Sequence, residues 1–148
     1  MDGQFEFGTD GPKVIVVGVD GSPTSLHAGA YAMGLARRQR SKLIVAYVEN
    51  TTAMAAMMPT TAGAYAESED QLATELKQQV EEYAAEAGVV CEFVALKGNP
   101  YSELTRVADE NQADAMVVGS SSSAGHRFVG SLAVHLVRSG RWPVTVVP

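Results

Sequence analysis

Apolar positions along the chain fall into five short clusters separated by longer amphipathic stretches. Val14-Ile15-Val16-Val17, within Lys13 to Val19, is a near-continuous β-branched run of the kind covered on both faces in a parallel sheet. Leu43 to Val48 is a second strand of this type. In the third, Val89 to Leu96, Val89, Cys91, Phe93 and Ala95 alternate with Val90, Glu92, Val94 and Leu96. Ala113 to Val118 and Trp142 to Val147 supply the fourth and fifth.

Helical spacing fills the intervals. Ser22 is a good N-cap and Pro23 suits a first helical position, so a helix should run to about Arg40, its last turn carrying Arg37, Arg38 and Arg40. Leu72, Leu76, Val80, Tyr83 and Ala87 mark a long helix that stops at Gly88. Gly98-Asn99-Pro100 opens a third, with Leu104, Val107 and Ala108 on one face. The last runs from Gly130 to about Ser139 and stops at Gly140. Residues 49 to about 66, with Met54, Met57, Met58, Pro59 and Gly63, read as a long loop, a candidate lid or partner surface. Strict alternation of strands and helices predicts an open, doubly wound α/β fold, a five-stranded parallel sheet with helices on both faces. Residues 1–12 read as a flexible tail and 13–148 as one domain.

Composition narrows the partners. A net charge of −6 and no basic face argue against nucleic-acid backbone binding. A small phosphate ligand stays open, because oriented backbone amides hold one without side-chain charge. The single cysteine, Cys91, allows no intramolecular disulfide and reads as a core thiol. With no signal-peptide pattern and no apolar run of about 18 residues, the expectation is a cytoplasmic protein that does not engage a membrane.

The chemistry concentrates at strand ends. Val117-Val118-Gly119-Ser120 leads through a small-residue loop, Ser121 to Val129, into the helix at Gly130-Ser131. A strand–loop–helix junction of this kind exposes free N–H groups at the positive end of a helix dipole and so attracts anions. Asp20 stands at the end of the first strand, where doubly wound folds place their ligands. Ser131 and His135 share a helix face, but no orienting third group marks a catalytic pair. His27, His126 and His135 lack zinc-ligand spacing, so no metal site is expected. Neither a P-loop nor a G-x-G-x-x-G motif is present.

Taken together, Val16-Val17-Gly18-Val19-Asp20-Gly21-Ser22, Tyr47-Val48, Ala113 to Ser120, and Gly130-Ser131 through Pro143 to Val147 resemble the universal stress protein family, in that order and spacing. The resemblance implies strand order 3-2-1-4-5, with a homodimer formed through the last strand, Val144 to Val147. It also implies a stress-response regulator or sensor, not an enzyme, that in many members binds ATP, with Mg or Mn as the accompanying ion. The adenosine would lie by Asp20, flanked by Gly18 and Val19, with adenine against the backbone of Val48. The family's phosphate loop reads G-x-x-G, nine residues, then G-[ST]. Gly119, between Val118 and Ser120, matches its start, and Gly130-Ser131, continued by Leu132 and Ala133, matches its end. The middle glycine falls on Ser122, and seven residues instead of nine separate it from Gly130. Hydroxyls of the serine run, with His126 and Arg127 as candidate phosphate contacts, would compensate. Two other readings share the fold: a dimeric interaction module that binds no nucleotide, its altered loop and Met-rich segment serving a protein partner, and a slow nucleotide hydrolase relying on Asp20 or His126 and a metal.

Overall fold

A computed structural model describes residues 11–49, 62–123, 126–128 and 130–148. The first ten residues of the expected tail and the stretch 50–61, with Met54, Met57 and Met58, lie outside the described residues.

The elements in chain order are β1 (Val14–Val19), α1 (Pro23–Gln39), β2 (Lys42–Glu49), α2 (Ala62–Ala87), β3 (Cys91–Lys97), α3 (Pro100–Glu110), β4 (Ala115–Gly119), β5 (Ser121–Ser123), β6 (His126–Phe128), α4 (Ser131–Ser139) and β7 (Val144–Val147). Five strands form one parallel sheet in the order β3-β2-β1-β4-β7, the order expected from the sequence. Its two faces bury separate cores, as the continuous apolar strands require. Ile15, Val17 and Val19 join Leu43, Val45 and Tyr47 beneath α1 and α2, whereas Val16 joins Ile44, Ala46, Met116 and Val118 beneath α3 and α4.

Small side chains set how closely α1 lies on the sheet. Ser25, Ala28, Ala32 and Ala36, spaced at i, i+3 and i+4, form its buried stripe. The first core has no larger α1 side chain fully buried within it, so the helix backbone approaches β1 and β4 closely. Below the sheet, the side chain of Asp114 just before β4 accepts hydrogen bonds from the backbone N–H groups of Lys13 and Val14, each at 2.9 Å, and aligns the starts of β1 and β4. Chain order reverses between these two strands, since β2 and β3 lie on one side of β1 and β4 and β7 on the other. That reversal opens a crevice at their carboxyl ends.

The structure differs from the sequence reading in four places. The helix α2 starts at Ala62, four residues inside the expected loop, because Ala62, Ala64 and Ala66 favour helix and outweigh the break suggested by Gly63. Along α2 the buried row is Leu72, Leu76, Val80 and Ala84, leaving Tyr83 63% exposed. The third strand begins at Cys91, since the Val89 amide donates to Ala84 O at 2.9 Å and so closes the helix end. Cys91 and Phe93 both pack on the first core, and burial, followed by the charges of Glu81 and Glu92, pushes the Cys91 thiol up to about 11, consistent with a structural role. Finally, the segment after β4 is not a plain loop: β5 and β6 pair as an antiparallel ribbon, with Ser121 opposite Phe128, Ser122 opposite Arg127 and Ser123 opposite His126.

The helix α1 ends on Arg40 in left-handed backbone, φ 57°, with its N–H donated to Ala36 O. A non-glycine residue there carries a Cβ penalty. Arg40→Gly should therefore stabilise the fold by about 0.5–1 kcal/mol, read as a rise of roughly 2 °C in Tm by calorimetry.

Candidate functional site

At the carboxyl ends of β1, β2 and β4 lies a cavity of about 470 Å³, within the size range of small-ligand sites. Gly18, Val19 and Asp20 line it from β1, Val48 from β2, and Val118, Gly119 and Ser120 from β4. The start of α4 contributes Gly130, Ser131, Leu132 and Ala133. The fold thus brings to one cavity nearly every residue singled out from the sequence. Ser122, His126 and Arg127 sit on the β5–β6 ribbon, and their side chains lie outside those described. Ser122 is in extended strand backbone, which serine adopts without the freedom of a glycine.

Six lining residues were not among those singled out: Ser22, Thr24, Ser25, Pro100, Leu104 and Ser121. The first three belong to the opening of α1, where Ser22 and Pro23 carry a helix-start signal that masks any second role. Pro100 and Leu104 arrive only through the crossover of α3, and nothing local to them indicates it.

Three helices present their N-termini here, and they differ in how their first amides are used. In α1 the Ser22 side chain accepts from Ser25 N–H, and the Ser25 hydroxyl accepts from Asp20 N–H while donating to Ser22 O. In α3 the Asn99 side chain accepts from Ser102 N–H at 3.0 Å. The N-cap of α4 is Gly130, which has no side chain to accept a hydrogen bond, so its first-turn amides keep their capacity for an external acceptor. Beside them, Ser120 is only 8% exposed, and its Oγ has no hydrogen-bond partner among the described residues. A buried hydroxyl without a partner costs about 1–3 kcal/mol, a cost that a polar ligand in the cavity would remove.

Asp20 is the one charged side chain among the described lining residues. Partial burial pushes its pKa up, but hydrogen bonds from the Ser22 side chain and backbone and from Ser25 outweigh this and hold it below the ordinary carboxylate value. It is an anion at neutral pH, one oxygen accepting from Ser22 N–H at 2.8 Å. His135 is stacked on Tyr101 with ring centroids 3.5 Å apart, which engages it with α3 instead of with Ser131. Among the described residues, no three His, Cys, Asp or Glu side chains converge as metal ligands.

The model of the universal stress protein family matches residues 12–148, nearly the whole chain. This chain belongs to that family. It is 28% identical over 145 residues to universal stress protein MJ0531 of Methanocaldococcus jannaschii, covering 91% of this chain and 81% of that protein. The structure of UspA from Lactobacillus plantarum superposes with a TM-score of 0.80 at 22% identity, covering 92% of this chain and 97% of the other. A universal stress protein solved in complex with cAMP gives a TM-score of 0.69 at 26% identity, over 93% and 98% of the two chains. Family membership and the shared parallel-sheet fold follow from these matches. Among the described residues, no helix is long and apolar enough to cross a membrane.

One glycine holds the site's walls together. A Cβ on Gly119 would lie 2.7 Å from the Thr24 carbonyl carbon and oxygen and 2.9 Å from Ser25 N, all backbone atoms that cannot swing aside. Gly119→Ala should destabilise the protein by about 1–3 kcal/mol, measured by urea unfolding, and should widen the gap between β4 and the start of α1.

Proposed function

We propose that this chain binds an adenine nucleotide in the strand-end cavity and serves as a ligand-responsive stress regulator, by binding and not by turnover. The observation that carries the reading is the conjunction at α4: an N-terminus without a side-chain cap, and the buried Ser120 hydroxyl, which has no partner among the described residues. In the bound state the phosphate accepts from the α4 amides and from Ser120, and the Asp20 carboxylate accepts from ribose hydroxyls. Adenine lies toward the Val48 end, against Leu104 and Pro100. The cAMP complex of a family member supports the ligand class. A divalent ion, where one takes part, enters with the nucleotide on its phosphates, with Asp20 the carboxylate nearest to hand among the described lining residues.

ATP, ADP, AMP and cAMP, each at millimolar concentration, form the test panel. A bound nucleotide should raise stability by about 2.7 kcal/mol at a hundredfold excess over Kd, and Asp20→Ala should weaken binding about tenfold or more with an unchanged circular dichroism spectrum. No heat and no thermal shift with any of the four would sink the proposal in favour of an interaction module.

The reading extends to a homodimer through β7. Met116 N–H donates to Pro143 O and Ser120 N–H to Val147 O, which turns residues 143 and 147 inward and leaves the backbone groups of Val144 and Val146 facing out from the sheet edge. The helices α1 and α4, packed against β7, carry exposed Leu26, Tyr31 and Val137. Light scattering at micromolar concentration should give the dimer mass, and Val146→Pro, which removes an outward N–H, should give a folded monomer. A monomeric mass for the unaltered chain would refute the edge pairing.

A further inference from the structure

Two rings tie together the helices that wall one side of the cavity. The Tyr101 ring, in the first turn of α3, lies face to face with the His135 ring of α4, their centroids 3.5 Å apart and their planes 5° from parallel. Tyr101 directly follows Pro100, which lines the cavity, and His135 stands one helical turn beyond Ser131 and Leu132, which line it from α4. Leu104 and Ala133, one from each helix, line the cavity and also join the second core. The stack therefore bridges α3 and α4 beside the space a ligand fills.

The remote ends of the same helices are held differently. Both helices return from parallel strands, so they run side by side in one direction. Away from the cavity, Val107, Ala108 and Leu136 are buried in the second core, and Trp142 packs against it. There the Arg141 guanidinium, 4.3 Å over the Trp142 ring, also donates to Asp109 in the last turn of α3. At the cavity end Tyr101 is half-buried and His135 exposed. Separation of the two helix starts thus pivots on ends fixed by the core, and it has to part the two rings. Ring stacking is a short-range attraction, much of which a gap of about 1 Å forfeits.

Resting on the adenine-nucleotide reading above for the bound ligand, we infer that Tyr101 and His135 are positioning residues. Their stack is a clasp that holds the first turn of α4, with its uncapped amides, against the α3 wall, and its opening sets how fast the ligand leaves.

Amide hydrogen exchange in the ligand-free chain and nucleotide dissociation by surface plasmon resonance test the clasp separately. The Val134 amide, bonded to Gly130 O at 3.1 Å, and the Glu103 amide, bonded to Asn99 O at 2.9 Å, report on the opening turns of the two helices. His135→Ala should speed exchange at both about fivefold, and should speed dissociation of ATP, ADP, AMP or cAMP by about the same factor. His135→Phe, which keeps a ring on Tyr101, should restore both rates, and Arg141→Ala, at the remote ends, should leave both unchanged. Unchanged exchange in His135→Ala, or His135→Phe behaving as His135→Ala does, would overturn the clasp. So would equal acceleration by Arg141→Ala. Faster exchange with unaltered dissociation would overturn its hold on the ligand while leaving the nucleotide site standing. Binding of none of the four nucleotides would overturn the nucleotide reading and the ligand-holding role together, and the exchange rates alone would then decide whether the stack fixes the helix starts.

Discussion

The opening turn of α1 lies against the end of β4 at backbone-to-backbone distance, with Gly119 the residue that permits it. A Cβ at that point would meet Thr24 and Ser25 at 2.7–2.9 Å. The contact is the upper end of a longer seam in which Ser25, Ala28, Ala32 and Ala36 keep the helix low on the sheet. Side chains of ordinary size along that stripe would lift α1 away from β1 and β4 and spread the crevice between their ends. The position of Asp20, between the last residue of β1 and the cap of α1, is set by the same seam, as is the wall that Ser22, Thr24 and Ser25 give the cavity.

Among the described lining residues, the cavity's electrostatics come from backbone geometry more than from ionised side chains. Of the three helices that end on it, two use up first-turn amides through Ser22 and Asn99, and α4, capped by a glycine, does not. Amides free of a side-chain cap therefore lie on one wall, and the Asp20 carboxylate on the β1 side.

Much of this was legible in residue order because the signals are local. The β-branched run at Val14–Val17 announces a strand covered on both faces, and Ser22-Pro23 and Asn99-Pro100 announce helix starts, each confirmed by a cap hydrogen bond. Residues that meet in the cavity from β1, β4 and α4 were also recognisable, since strand ends and helix starts are where a doubly wound sheet places its ligands. Where local signals competed, the reading erred. Gly63 suggested loop where neighbouring alanines continued a helix, and Tyr83 fits an apolar period that the actual row, ending on Ala84, passes by.

Which segments become strands and helices, the family to which their order belongs, and the strand-end residues available to a ligand are all written in residue order, because each depends on periodicity, capping and spacing within a few residues. Tertiary structure alone decided what those residues face. The ribbon formed by β5 and β6, the arrival of Pro100 and Leu104 at the cavity and the contact of Gly119 with the backbone of α1 all join segments distant in the chain or pair strands too short to carry a period of their own. Contacts of that kind are fixed by how the helices settle on the sheet, a packing outcome that no local pattern encodes.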